Sequence, residues 1–163
     1  MIPFELLQRF PFFSFMNDKE LKAMAMIAQE LQLQPGDILF EANSPANSLY
    51  FLTQGNLPYY IAVTSENMPD YYQEYFVGYI NPEELFGISA LIDPYLYTTT
   101  LRADKPCRVI RIDARALRAL CEVDAQLSVG LLRAVAKAAM DRLNMTRIQL
   151  AAQMVEEPKK QAL

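Results

Sequence analysis

Apolar positions follow three successive patterns along this chain. From Met1 to Gln34 the spacing is helical. Phe4-Glu5-Leu6-Leu7 opens a short helix that ends at Phe10-Pro11, because a proline disfavours helical backbone at the residue before it. Phe12, Phe13 and Phe15 form an aromatic cluster expected in the core. Asn17 or Asp18 can cap a second helix, with Glu20 three residues after Asn17 as in a capping box. Leu21, Met24, Ala25, Ile27, Ala28 and Leu31 then recur at helical intervals, so this helix is expected to run on towards Gln34.

After Pro35-Gly36-Asp37 the period shortens. Ile38–Phe40, Leu49–Leu52, Leu57–Val63, Tyr75–Ile80, Thr98–Leu101 and Val109–Ile112 are short runs rich in β-branched and aromatic residues. Turn-forming residues separate them at Asn43-Ser44-Pro45, Gln54-Gly55-Asn56, Ser65 to Asp70, Asn81-Pro82 and Asp104-Lys105-Pro106. Repeated short strands of this kind predict a β-sandwich or barrel, with Asp70 to Glu74 on an exposed hairpin edge. From Asp113 the helical period returns. Asp113 caps a helix through Leu120, and Asp124 caps a long one to about Gln153.

Composition narrows the chemistry. The 163 residues are 52% hydrophobic and 21% charged, which fits one folded domain and excludes wholesale disorder. Fifteen basic and nineteen acidic residues leave a net charge of −4, the wrong sign for a protein that holds nucleic-acid phosphates directly. There is no histidine, so Ser-His-Asp and Cys-His catalysis and histidine metal sites are excluded within the chain. Cys107 and Cys121 are too few for a metal cluster or a disulfide framework and read as free thiols in or near the core. With no basic leader and no apolar run of ~18 residues, the expectation is a cytoplasmic protein without membrane segment, cofactor or catalytic site.

The order of these pieces resembles the cyclic nucleotide-binding domain family over residues 4 to 150. Leu7, Phe10-Pro11-Phe12-Phe13 and Glu20-Leu21 are similar to its N-terminal helices, and Pro35-Gly36-Asp37-Ile38-Leu39-Phe40 to its first turn and strand. Asn47-Ser48-Leu49-Tyr50-Phe51-Leu52, closed by Gly55, resembles the next strand pair. Phe86-Gly87-Ile88-Ser89-Ala90-Leu91 falls where the family has Phe-Gly-Glu-Leu-Ala-Leu, and Val109 to Asp113 resembles the last strand. The resemblance implies an α+β, mainly β fold: an antiparallel β-roll or jelly-roll over 36–112, N-terminal helices over 3–33 and C-terminal helices over 113–153. Residues 1–153 then form one domain and 154–163 a flexible tail.

It also implies a ligand pocket at Phe86, Gly87, Ile88, Ser89 and Ala90, where the free N–H groups of a short helix face a phosphate. In the family a Glu directly after the Gly holds the ribose, and an Arg about ten residues after the Gly neutralises the phosphate. Here those positions are Ile88 and Tyr97. A charged hydrogen bond contributes ~1.5–3 kcal/mol, and leaving a buried phosphate without its cation costs roughly 2–5 kcal/mol. Together the two replacements cost on the order of 4–7 kcal/mol, or roughly three to five decades of affinity. The expected function is a regulatory or sensor module that is not an ordinary receptor for cyclic AMP or cyclic GMP. It acts on another small molecule, whose identity stays open, or through a protein partner.

Substitutes for the missing charge are few. Arg102 is expected on the solvent face of its strand, and Thr98 and Thr99 could bind an anion through their hydroxyls. Glu83-Glu84, in place of a Gly-Asp step, reads as a surface turn. Arg142 and Thr146 share one face of the long helix and resemble the Arg and Thr that approach the nucleotide in catabolite-activator-type proteins. With the N-terminus of the pocket helix they define the alternative, a true receptor for a cyclic nucleotide or another anionic ligand. The apolar coverage of the same helix predicts a homodimer through Leu131, Val135, Ala138 and Ala139. About ten residues follow that helix, with no room for a helix-turn-helix, so no direct nucleic-acid contact is expected.

Overall fold

The structure, a computed structural model, describes the backbone of residues 1–161 and the side chains of residues 1–155. It opens with helix α1 (Phe4–Gln8), a 3-10 turn over Pro11–Phe15 and helix α2 (Asp18–Met26). Asn17 and Glu20 exchange the reciprocal bonds of a capping box, the Asn17 side-chain Oδ1 accepting from the Glu20 N–H at 2.9 Å.

Helix α2 stops well short of the predicted extent. Ala28–Leu33 is strand β1, paired antiparallel with β8 (Cys107–Asp113) from Ala28↔Ile112 to Leu33↔Cys107. The sequence Ala-Gln-Glu-Leu-Gln-Leu fits a helix locally, but continuing the helix would leave one edge of β8 without hydrogen-bond partners. Phe15 also departs from its expected core position. It is 41% exposed and lies over the start of the long helix, its ring where a Cβ at Gly130 would go.

Two four-stranded antiparallel sheets face one another. One runs β1-β8-β3-β6, with β3 at Ser48–Gln54 and β6 at Leu85–Phe86. The other runs β2-β7-β4-β5, with β2 at Ile38–Phe40, β7 at Thr100–Arg102, β4 at Leu57–Ser65 and β5 at Met68–Ile80. Tyr50, Leu52, Leu57, Leu101 and Val109 are buried on the facing sides, whereas Phe51, on the other face of β3, packs on Phe10, Phe12 and Phe13 of the N-terminal segment. The β4–β5 hairpin is longer than the sequence pattern predicts: Ser65 pairs with Met68, so the turn is only Glu66-Asn67. Its distal part projects past the roll, because β7 pairs with β4 only at Tyr59 and Tyr60.

Helix α3 (Ala114–Val123) follows β8, its N-cap Asp113 accepting from the Ala116 N–H at 2.8 Å. Asp124 accepts from the Leu127 N–H at 3.0 Å and starts the long helix α4 (Ala125–Gln161). Thus α4 extends through most of the segment 154–163 that the sequence pattern assigns to a flexible tail. Residues 162–163 of that segment lie outside the described residues. The architecture is the expected α+β one, a β-roll between N-terminal helices and a long C-terminal helix.

Candidate functional site

The segment predicted to bind a phosphate is built from β6 and the 3-10 turn Ile88–Leu91. Strand β6 pairs with β3 through Tyr50↔Phe86 and Phe51↔Leu85, which buries Phe86 to 1% exposure. Gly87 then takes a left-handed conformation at φ 66°, and a Cβ there would meet Tyr50 Cδ2 at 2.9 Å. Only glycine makes this turn without strain or collision. Ala90 is fully buried and its carbonyl accepts from Arg118 Nη1 at 2.7 Å, while Ile88 packs half-buried against the core.

Tyr97 lies against this turn rather than at a pocket mouth. The backbone around it is fastened to the segment before β3: the Tyr97 N–H donates to the Ser44 carbonyl at 2.9 Å, and the Asn43 N–H to the Tyr97 carbonyl at 2.7 Å. The ring is therefore held inward, 4% exposed and stacked on Phe40 with centroids 3.7 Å apart. Tyr50 stacks on Phe86 at 5.3 Å and approaches Phe40 at 5.6 Å, so four rings fill this end of the interior. The Tyr97 hydroxyl donates to the Ser48 carbonyl at 2.6 Å and accepts from the Ser48 N–H at 3.1 Å. Burial, reinforced by the neighbouring Tyr50, raises the phenol's pKa well above the ordinary tyrosine value, against the lowering effect of the Ser48 bond. At neutral pH the site holds an uncharged, fully hydrogen-bonded phenol.

The other predicted residues scatter. Thr98 is exposed and Thr99 half-buried. The buried hydroxyl of the next residue, Thr100, accepts from the Ala42 N–H at 3.0 Å. Arg142 reaches β6, where its guanidinium donates to the Leu85 carbonyl. Burial lowers its pKa, partly offset by Glu84 and Tyr59 nearby. Arg142 makes no ion pair among the described residues. Thr146 is exposed, and its hydroxyl donates to the Arg142 carbonyl at 2.9 Å within the helix. The structure therefore brings Phe86 to Ala90 together with Tyr97 and puts Arg142 beside Leu85, but aims neither Thr98 nor Thr146 into the group. Phe40 and Tyr50 complete the ring cluster and were not singled out by sequence. The available signal was their place in short strands that also carry core residues.

A family model described as the cyclic nucleotide-binding domain matches residues 30–124, more than half of the chain. The chain belongs to the cyclic nucleotide-binding domain family. Among solved structures, a candidate cyclic nucleotide-binding protein from Geobacter metallireducens is 34% identical, with a TM-score of 0.74. The match covers 88% of this chain and 99% of that one. The N-terminal domain of a transcriptional regulator from Streptomyces coelicolor is 27% identical over 83% of this chain and 92% of that one, with a TM-score of 0.61. The sensor domain of the transcriptional regulator DNR from Pseudomonas aeruginosa shares the fold at 20% identity and a TM-score of 0.65, over 83% and 91% of the two chains. No curated protein matches the sequence. The family is regulatory rather than catalytic. No helix among the described residues is long and apolar enough to cross a membrane.

Within this family member, α4 turns two of the four predicted contact residues towards the rest of the chain. Leu131 and Val135 are 1% and 4% exposed because they turn inward, on the same side as the buried Leu127. Ala138 is half-buried, and of the four predicted residues only Ala139 is exposed. The neighbouring flank is open instead: Val129, Leu132, Leu143 and Leu150 are 49%, 46%, 49% and 57% exposed. Ala136 and Ala139 lie between Leu132 and Leu143 at intervals of three and four residues, so the apolar stripe is continuous from Val129 to Leu143.

Proposed function

We propose that this chain is a regulatory module of the cyclic nucleotide-binding family that does not take an ordinary cyclic nucleotide and instead acts through another ligand or through protein contacts. One observation carries the reading. The position where the family has its phosphate-neutralising Arg holds Tyr97, and its ring and hydroxyl are committed to Phe40 and Ser48. A cyclic phosphate arriving there would have to expel a stacked ring and would find no cation in exchange. Ile88, at the ribose-binding position, adds a branched alkyl group where an acceptor is needed. Arg142 does not restore the site, because its guanidinium is turned to the Leu85 carbonyl.

Titration calorimetry with cyclic AMP and cyclic GMP tests this reading. No heat of binding is expected at ligand concentrations up to the millimolar range. Micromolar binding that disappears in Arg142→Ala would replace it with the anionic-ligand receptor.

The contact part of the reading is a homodimer through the α4 stripe. Small residues at Ala136 and Ala139 let two helices approach closely, with Leu132 and Leu143 packing on either side. Sedimentation should give a dimer for the native chain and a monomer for the Leu132→Glu, Leu143→Glu double variant. Equal masses for the two would rule the stripe out as the interface.

A further inference from the structure

The outer face of the β2-β7-β4-β5 sheet carries a second apolar surface that neither the ring-filled site nor the α4 stripe uses. A bulge in β5 creates it. Tyr59 pairs with Gly78 and Tyr60 with Phe76, so Val77 is the extra residue. The bulge brings Phe76 and Tyr79 to the same side of the hairpin, where one of two consecutive registers would have alternated. Their centroids lie 5.1 Å apart with the rings at 63°, and Tyr60 meets Phe76 at 6.1 Å and 66°. Arg102 from β7 lies over the Tyr60 ring at 4.7 Å and pairs with Glu74 at 2.9 Å. Tyr72 donates to the same Glu74 at 2.8 Å. Despite this mutual support the rings stay open: Tyr72, Phe76 and Tyr79 are 60%, 54% and 48% exposed. They form a patch of tyrosine, phenylalanine and arginine, residue types enriched at binding interfaces.

Two features decide what fits this face. The first is ring geometry. Neighbouring rings meet edge to face, giving a corrugated surface with clefts between rings instead of a flat platform for a base or a sugar ring. Proline rings on an extended polyproline helix insert into such clefts and enter the complex already ordered. The second is charge. Residues 57–80 contain no lysine or arginine and three acids, Glu66, Asp70 and Glu74. Glu41 adds its field at Tyr72 from the neighbouring loop, and Arg102 supplies the balancing cation for Glu74. This excess of negative charge repels nucleic acid, and it also repels a second copy of the same face. It attracts an extended segment flanked by lysine or arginine.

We infer that the Tyr60–Phe76–Tyr79 face is a docking site for a proline-rich segment of a partner protein with basic residues at its ends. This inference does not depend on the reading of the ring-filled site, because the two surfaces share no residue and the two experiments have separate readouts.

The test uses the full chain and a fluorescein-labelled synthetic peptide with a proline-rich centre and two arginines at each end. The expected dissociation constant is on the order of 10–100 µM, as suits a small transient interface. Phe76→Ala and Tyr79→Ala should each weaken binding by about tenfold or more. A peptide with glycines for the prolines should lose binding, and added salt should weaken the arginine-flanked peptide more than a serine-flanked one. Amide shifts mapped by NMR should cluster on β4, β5 and β7. The inference is overturned by absence of binding at millimolar peptide or by shifts confined to α4. It is equally overturned if Phe76→Ala abolishes self-association of the chain, or if an oligosaccharide or single-stranded oligonucleotide binds this face in preference to the peptide. Thermal melts of both variants check that their folds persist, as expected for rings this exposed.

Discussion

Replacing Tyr97 by phenylalanine removes one oxygen atom and keeps the ring. The stack on Phe40 at 3.7 Å survives, so the packing contribution stays nearly constant. What is lost is a hydroxyl that both donates to the Ser48 carbonyl and accepts from the Ser48 N–H. Tyr97 is 4% exposed, so water does not readily replace it. Each buried group left unpaired costs about 1–3 kcal/mol, and local relaxation recovers part of that, for an expected loss of about 2 kcal/mol. In a chain of this length that corresponds to roughly 4–8 °C in melting temperature. Urea denaturation at neutral pH measures the free energy directly.

The same pair of proteins carries a pH signature. The Tyr97 pKa is raised in the folded state, so the contribution of its neutral phenol is fully present below the unfolded-state value of about 10. It declines as the pH climbs from there towards the folded-state value. The stability gap between native and Tyr97→Phe proteins should therefore be constant from neutral pH to about pH 9 and narrow above about pH 10. A gap below about 0.5 kcal/mol at neutral pH, or one that widens in alkali, would refute the view of Tyr97 as a hydrogen-bonded plug.

Two further substitutions probe the elements that hold this site. Gly87→Ala must adopt φ 66° with its Cβ against Tyr50 and should cost more than about 2 kcal/mol, read as a lowered urea midpoint at unchanged slope. Asn17→Ala removes one side of the α2 capping box and should cost about 1 kcal/mol without altering the oligomeric state. A neutral result in either would show that the local conformation is less constrained than its geometry indicates.

Much of this protein is local and therefore legible in one dimension. Asn17, Asp113 and Asp124 cap the helices that their spacing predicts, because a cap needs only a side chain and the N–H groups two or three residues ahead. The strand runs and the Phe86-Gly87 step are likewise written in adjacent residues. The proposed exchange of Glu for Ile88 and of Arg for Tyr97 also rests on counting from Gly87 along adjacent residues. Three things depended on distant parts of the chain. Residues 28–33 have a helical pattern but become β1, since only β8, some 80 residues on, supplies the partners that make a strand the better choice. Leu131 and Val135 read as equivalent to Leu132 and Leu143 on an apolar helix, and only the docking of α4 on the roll distinguishes the buried side from the open one. Phe40, Tyr50, Phe86 and Tyr97 come from four separate stretches, so their stacking into one cluster is a property of the packed sheets. Residue type and short-range spacing thus determined which side chains, Ile88 and Tyr97, stand after Gly87. The meeting of non-neighbouring strands determined what packs around Tyr97, because ring stacking and shared hydrogen bonds exist only once those strands are together.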